Sequence, residues 1–159
     1  MRNVYGKVFQ NILTRDIECF SYDPQQNYYY VIQNASKRGY QQSIFTSSVM
    51  ISLLEEFLLN YSAIVTEIEF LVDDDELNQE IKEIISKMRD NGAYWEILKD
   101  KLSFLSKYDS IDIKKVSIKS KKGVGFLLSL QVNGIFNVTE NAYDLVAKEI
   151  CDVVRRVIA

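Results

Sequence analysis

The chain has 159 residues, the usual size of one domain. Hydrophobic residues make up 47% of it and charged residues 26%, a balance typical of a folded globular protein. Charges interrupt every apolar run within a few residues, so the sequence predicts no transmembrane helix. Since the first residues also lack the apolar stretch of a secretory signal, we expect an intracellular, cytoplasmic protein.

The residue types that are missing exclude several classes of site. Histidine is absent, which removes the commonest general base, the commonest zinc ligand and the Ser/His and Cys/His nucleophile pairs. The two cysteines, Cys19 and Cys151, are too few for a disulfide framework or a cysteine zinc site, and we expect reduced, packed thiols. The composition therefore predicts no enzyme, no metal site and no cofactor.

The first third of the chain predicts strands and then a helix. Short strands are expected at residues 8–13 and 17–22, followed by a turn around Pro24. Residues 28–33 are rich in aromatic and β-branched side chains and predict a third strand, and residues 41–46 a fourth. The apolar period then becomes helical over residues 49–61, with Ser47 or Ser48 as the N-cap.

The rest of the chain predicts an acidic helical segment and a second set of strands. A strand at 64–72 precedes two helices at about 73–90 and 94–107, the first opened by four acids that complement the helix dipole. Strands follow at 115–119, 126–132 and 135–139, and a helix at 142–158. We expect one α+β domain over 1–159, made of two antiparallel sheet-plus-helix (ββββα-like) units at about 1–62 and 111–159. An acidic helical insertion at about 73–108 lies between them.

Charge is distributed unevenly along the chain. The net charge is −3, but residues 63–112 carry far more acids than bases, and residues 113–159 carry more bases. Five cations fall within the nine residues 114–122 with no acid among them: Lys114, Lys115, Lys119, Lys121 and Lys122. In a strand, Lys115 and Lys119 would share one face while Val116 and Ile118 take the other. The C-terminal third is therefore the expected basic surface.

Two stretches resemble known single-strand-binding families. Residues 28–39 combine a tyrosine-rich stretch with a Lys37-Arg38-Gly39 turn and resemble the aromatic strand and basic loop of the Pur family. Residues 115–119 and 125–133 are similar to the second repeat of plant Whirly proteins. The resemblance, which extends to the coactivator positive cofactor four, implies a ββββα unit whose curved sheet binds single-stranded nucleic acid.

These observations predict a binding site for single-stranded DNA or RNA. Such binding requires cations for phosphates and exposed aromatic rings for base stacking. The predicted site consists of the five lysines above together with Lys37, Arg38, Tyr40 and Tyr29. A structural alternative is that the lysines protect a strand edge and the tyrosines cover a core. Wide apolar stripes on the helices at 49–61 and 142–158 also predict a homo-oligomer.

The acidic middle segment fits a different functional class. The acidic middle segment and an isoelectric point near 5.1 favour a small protein-interaction module, such as an inhibitor, chaperone or immunity-type protein. The basic stretch at 114–122 and the repeated strand-and-helix pattern favour nucleic-acid binding. Both alternatives stay open at the level of the sequence.

Overall fold

The computed structural model describes residues 2–158 and shows helices packed on an antiparallel sheet. The strands are β1 (Asn3–Asn11), β2 (Ile17–Tyr22), β3 (Tyr40–Gln42), β4 (Ile64–Phe70), β5 (Ile113–Ser120), β6 (Phe126–Gln131) and β7 (Ile135–Thr139). The helices are α1 (Tyr28–Lys37), α2 (Ser47–Asn60), α3 (Asp75–Asp90), α4 (Tyr94–Tyr108) and α5 (Tyr143–Ile158), the last preceded by a short 3-10 turn. None of these helices is long and apolar enough to cross a lipid bilayer.

The two ends of the chain contribute to the same sheet. The strand order is β2-β1-β7-β6-β5-β4, and β3 pairs with β1 beyond the end of β7. The first and last thirds are joined where β1 pairs with β7, from Asn3 opposite Thr139 to Lys7 opposite Ile135. The predicted α+β class is confirmed, with both halves in one antiparallel sheet.

The strand predicted at residues 28–33 is wrong, because this segment belongs to helix α1. Its aromatic and β-branched side chains favour a strand locally, but tertiary packing overrides that preference. Tyr28, Ile32 and Ala35 recur at helical spacing, and all three are at least half-buried. The first unit therefore has the order β1, β2, α1, β3, α2 instead of four strands and a helix. Tyr29 consequently lies on a helix.

The chain leaves the sheet early after β3 and enters α2 through an unexpected cap. β3 ends at Gln42, so the strand expected at 41–46 is only partly formed. Thr46, and neither predicted serine, caps α2: its Oγ1 accepts a hydrogen bond from the Val49 amide at 3.3 Å.

The main core lies on one face of the sheet, under α2 and α5, with α3 packed beside β4 and α4 packed on α2 and α3. On β5, Val116 and Ile118 are buried in this core, while Lys115, Ser117 and Lys119 are half-exposed on the other face. The apolar stripes of α2 and α5 pack against the sheet and each other within one chain. The expected reason for self-association, stripes left uncovered, therefore does not hold, and a homo-oligomer stays a prediction.

A small hydrogen-bonded network joins α2 and α4 to the start of β5. The Ser47 hydroxyl donates to Asp112 Oδ1 at 2.8 Å and accepts from the Ile113 amide at 3.1 Å. The Ser106 hydroxyl donates to the same carboxylate oxygen at 2.7 Å. Ser47 is buried, so its hydroxyl is the acceptor that keeps the Ile113 amide paired inside the protein.

Replacing Ser47 with alanine is expected to lower the free energy of unfolding by about 1–3 kcal/mol, because it leaves a buried amide without an acceptor. Urea unfolding followed by circular dichroism measures the loss. Ser48→Ala is the matched control, since Ser48 is exposed and is expected to change stability by no more than about 0.5 kcal/mol. Equal losses in the two variants would show that the network contributes nothing.

Candidate nucleic-acid interface

The two faces of the sheet differ in what covers them. On β2, Cys19 points towards α5, where its Sγ lies 3.0 Å from that of Cys151. Phe20 and Tyr22 therefore point to the opposite face, where α1 packs against β2 and β3. On that side the strands from β7 to β5 present half-exposed or exposed side chains. We call this surface the open face: Lys115, Ser117, Lys119, Leu127, Ser129, Gln131, Ile135 and Asn137.

Four of the predicted lysines lie on or beside the open face. Lys115 and Lys119 project from β5 with Ser117 between them, as predicted, and Lys121 and Lys122 are exposed at the β5–β6 turn. Among residues 2–158, none of these four lysines forms an ion pair within 4.0 Å. The four therefore form a cationic track without ion pairs, in which Lys115 has Glu69 as its cross-strand neighbour.

Lys114 is separated from the other predicted lysines. The pairing of β4 with β5 shifts register between Glu69 and Phe70, which leaves Lys114 out of the regular alternation. Its side chain lines a groove between β4 and α3 together with Glu69 and Asp73. The acidic segment before α3 thus lies at the Lys114 end of β5, and Lys121 and Lys122 lie at the other end.

Acidic side chains border the open face along edge strand β4. Glu69 is directly opposite Lys115, and Glu67 is opposite Ser117. Lys119 instead faces Ile64 on one side and Leu127 on the other, so its strand neighbours carry no charge. The positive potential is therefore strongest from Lys119 to the turn.

A polar and aromatic row crosses the sheet next to these lysines. From β5 it runs through Ser117, Ser129 and Asn137 to Tyr5 and Tyr22. Rings then continue the row onto α1, with centroid distances of 5.9 Å (Tyr5–Tyr22), 4.9 Å (Tyr22–Tyr28) and 5.4 Å (Tyr28–Tyr29). The Tyr22 ring is buried, and burial raises the pKa of its hydroxyl to about 12.

Tyr29 is the exposed end of the ring series, with 78% of its surface accessible. The sequence identified Tyr29 but missed Tyr5 and Tyr22. The first predicted strand started at residue 8, which left Tyr5 outside it. The alternation of Tyr5, Lys7 and Phe9 along β1 was the sequence signal that could have placed Tyr5 in this strand.

The predicted basic loop lies on the same side of the sheet, at its far end. The Arg38 guanidinium is 5.3 Å from the ring centroid of Phe20 and 5.6 Å from that of Tyr40, and Lys37 is exposed beside it. Phe20 and Lys115 occupy one cross-strand row, four strands apart, which separates them by roughly 19 Å at ~4.8 Å per strand. The structure therefore does not bring the loop and the lysines into contact.

One further cation on this side, Lys7, is not available to a ligand. Only 2% of its surface is accessible, and its Nζ donates to the Asn133 carbonyl. Burial lowers the pKa of Lys7, since desolvation penalises the charged ammonium. Lys7 is a structural residue between the two basic clusters.

The open face carries ammonium, hydroxyl and amide groups. The Ser129 hydroxyl, at its centre, has no hydrogen-bond partner among the described residues. Within residues 2–158, no group of three or more Cys, Asp or Glu side chains is arranged to hold a metal ion. Comparisons with protein families, curated proteins and solved structures give no match to this chain.

Proposed function

We propose that this protein binds single-stranded DNA or RNA across its open face, without catalysing a reaction. The observation that carries the proposal is that four lysines without an ion pair lie on the same side of the sheet as a ring series that ends at the exposed Tyr29. The lysines supply attraction for phosphates, and the Tyr29 ring supplies a stacking surface for a base.

The polar groups between the lysines and the rings suit a strand with unpaired bases. Ser117, Ser129 and Asn137 offer hydroxyl and amide groups that can hydrogen-bond base edges, which a duplex keeps paired. Net −3 does not oppose such binding, because attraction depends on charge within a Debye length of ~8 Å at physiological salt. The acidic segment lies near Lys114, away from Lys121 and Lys122.

The test is fluorescence anisotropy with a labelled mixed-sequence single strand, its RNA equivalent and the matching duplex. We expect the single strands to bind more tightly, with affinity falling as salt rises at a log–log slope of ~0.7 per phosphate contact. Equal affinity for the duplex, or no binding at low salt, would contradict the proposal.

Tyr29→Ala is expected to weaken single-strand binding by about 1–3 kcal/mol, because it removes the exposed stacking ring. The salt slope is expected to stay unchanged, since no charge is lost. Tyr30→Ala is the matched control. Tyr30 is 69% exposed, but its ring is not part of the ring series and lines a cavity at the outer edge of β2. Anisotropy titrations at two salt concentrations measure both values. Similar losses in the two variants would exclude stacking on Tyr29.

One observation favours a second candidate function, protein binding. β4 is an edge strand with a partner on one side only, and its free side faces α3 across a groove of about 820 Å³. A smaller apolar cavity of about 190 Å³ continues the groove towards Trp95, whose buried Nε1 has no partner among the described residues. An extended peptide could add to β4 as a further strand.

Peptide display against the purified protein separates the two functions. Protein binding through this groove predicts enrichment of extended peptides that bind the wild type and lose binding to Ser86→Trp. Ser86 is exposed and lines the groove, so a tryptophan there would fill it without entering the core. Nucleic-acid binding predicts instead that Ser86→Trp leaves oligonucleotide affinity unchanged.

A further inference from the structure

Two thiols meet between the edge strand β2 and the C-terminal helix α5. Cys19 Sγ and Cys151 Sγ are 3.0 Å apart, although 132 positions separate them in the sequence. Both cysteines are free; Cys19 is half-buried and Cys151 is buried. The sequence predicted packed thiols but gave no indication that they pack against each other.

Arg155 holds this strand and this helix together next to the thiols. Its Nη2 donates to the Ile17 carbonyl at 2.7 Å, and its Nε lies 3.0 Å from Asp16 Oδ1. Ile17 lies two residues from Cys19 on β2, and Arg155 one helical turn from Cys151 on α5. The contact therefore keeps the two sulfur atoms in register.

The surroundings favour a thiolate at one member of the pair. The hydrogen bond with the Cys19 thiol and, to a lesser extent, the charge of Arg155 lower the pKa of Cys151. The shared hydrogen bond and burial raise the pKa of Cys19, which keeps its proton. A cavity of about 340 Å³ reaches the pair on its Cys19 side, where Ser21 and Tyr143 also line it, and is large enough for a small oxidant. Cys151 is buried and does not line this cavity, so the oxidant must pass Cys19 to reach it.

We propose that Cys19 and Cys151 are a modification site, where a peroxide converts the two thiols into a reversible intramolecular disulfide. The Cys151 thiolate attacks one peroxide oxygen, which forms an S–O bond, breaks the O–O bond and releases one water after protonation. The Cys19 sulfur then attacks the Cys151 sulfur, which forms the S–S bond and expels the second water. Two thiols lose two electrons in all, and the peroxide gains them.

The geometry requires only a small movement. A disulfide needs sulfur atoms ~2.05 Å apart, so the pair must close by roughly 1 Å. The new bond joins β2 covalently to α5 and closes a loop of most of the chain, which constrains the unfolded state. The oxidised protein is therefore expected to melt roughly 5 °C or more above the reduced one.

The experiment treats the fully reduced protein with one equivalent of hydrogen peroxide. The expected product is a monomer that has lost two hydrogen atoms by intact mass, has no free thiol and yields a Cys19–Cys151 cross-linked peptide. Dithiothreitol should restore both thiols and the lower melting temperature. Addition of oxygen to one cysteine without a cross-link, or thiols that stay free after peroxide, would overturn the proposal.

Single-cysteine variants provide the controls. In Cys19→Ser, whose hydroxyl keeps a hydrogen-bond donor beside Cys151, peroxide should leave a sulfenic acid on Cys151 that dimedone traps, and the melting temperature should not rise. Cys151→Ala should react more slowly, because the thiolate-bearing partner is gone. Equal peroxide reactivity of the two variants would contradict the assigned order of attack. Circular dichroism of each variant establishes that it is folded before the comparison is made.

Discussion

Replacing Lys115, Lys119, Lys121 and Lys122 with alanine is expected to weaken single-strand binding about 100-fold at ~0.15 M salt. Four phosphate contacts at ~0.7 each give a log–log slope of ~2.8, which amounts to about two logarithmic units between ~1 M and ~0.15 M salt. The variant should stay folded, because exposed charges contribute little to stability. Anisotropy titrations across a salt series measure the affinity and the slope.

The matched control removes the same charge from elsewhere. Lys87, Lys99, Lys101 and Lys107 lie on α3 and α4 and do not line the groove beside β4, and their replacement by alanine changes the net charge equally. We expect its affinity to fall far less and its salt slope to stay close to that of the wild type. An unchanged affinity in the open-face variant, or the same loss in the control, would exclude the open face as the nucleic-acid-binding surface.

The elements that the sequence predicted well are those whose pattern is local. The alternation of apolar and polar residues predicts β5 and β6, and the helical period of apolar residues predicts α2 and α5. Each pattern lies within one segment, and each predicted element matches the structure closely. The strand prediction for residues 28–33 was wrong because the Tyr28-Tyr29-Tyr30-Val31 stretch favours a strand by residue type. The helical spacing of Tyr28, Ile32 and Ala35 is the weaker local signal in this segment, and their burial decides for the helix.

In the candidate site too, residues with a local sequence signal were predicted, and residues that become neighbours only through strand pairing were missed. The lysines of β5 were identified from charge spacing along one strand, and the structure places Lys115 and Lys119 on one face, as that spacing requires. The ring series was missed because Tyr5 and Tyr22 become neighbours only through the pairing of β1 with β2. The place of Lys114 in the groove depends on a register shift in the pairing of β4 with β5, which is likewise a property of two strands.

The same kind of long-range contact is expected to make Gly134 the least replaceable glycine of the turns around the open face. Its φ is +81°, and a Cβ added there would lie 2.1 Å from the Ser43 carbonyl oxygen, which is backbone and cannot rotate away. That backbone is fixed by β1, since the Val8 amide donates to the Gly134 carbonyl and the Ser43 amide to the Val8 carbonyl, each at 3.0 Å. An alanine must therefore separate the β6–β7 turn from the segment after β3.

Gly134→Ala is expected to lower the free energy of unfolding by about 3 kcal/mol or more, which is among the larger losses that single substitutions cause. Gly39→Ala is the control: its φ is +86°, but an added Cβ meets nothing within 4 Å. Its expected loss is only the ~1–2 kcal/mol that a left-handed conformation costs an L-residue. Urea unfolding of both variants measures the difference, which isolates the contact with Ser43 from the conformational cost. Equal losses in the two variants would mean that the β6–β7 turn moves away from Ser43 at no cost in free energy. The packing between β1, the segment after β3 and the turn before β7 would then contribute little to stability.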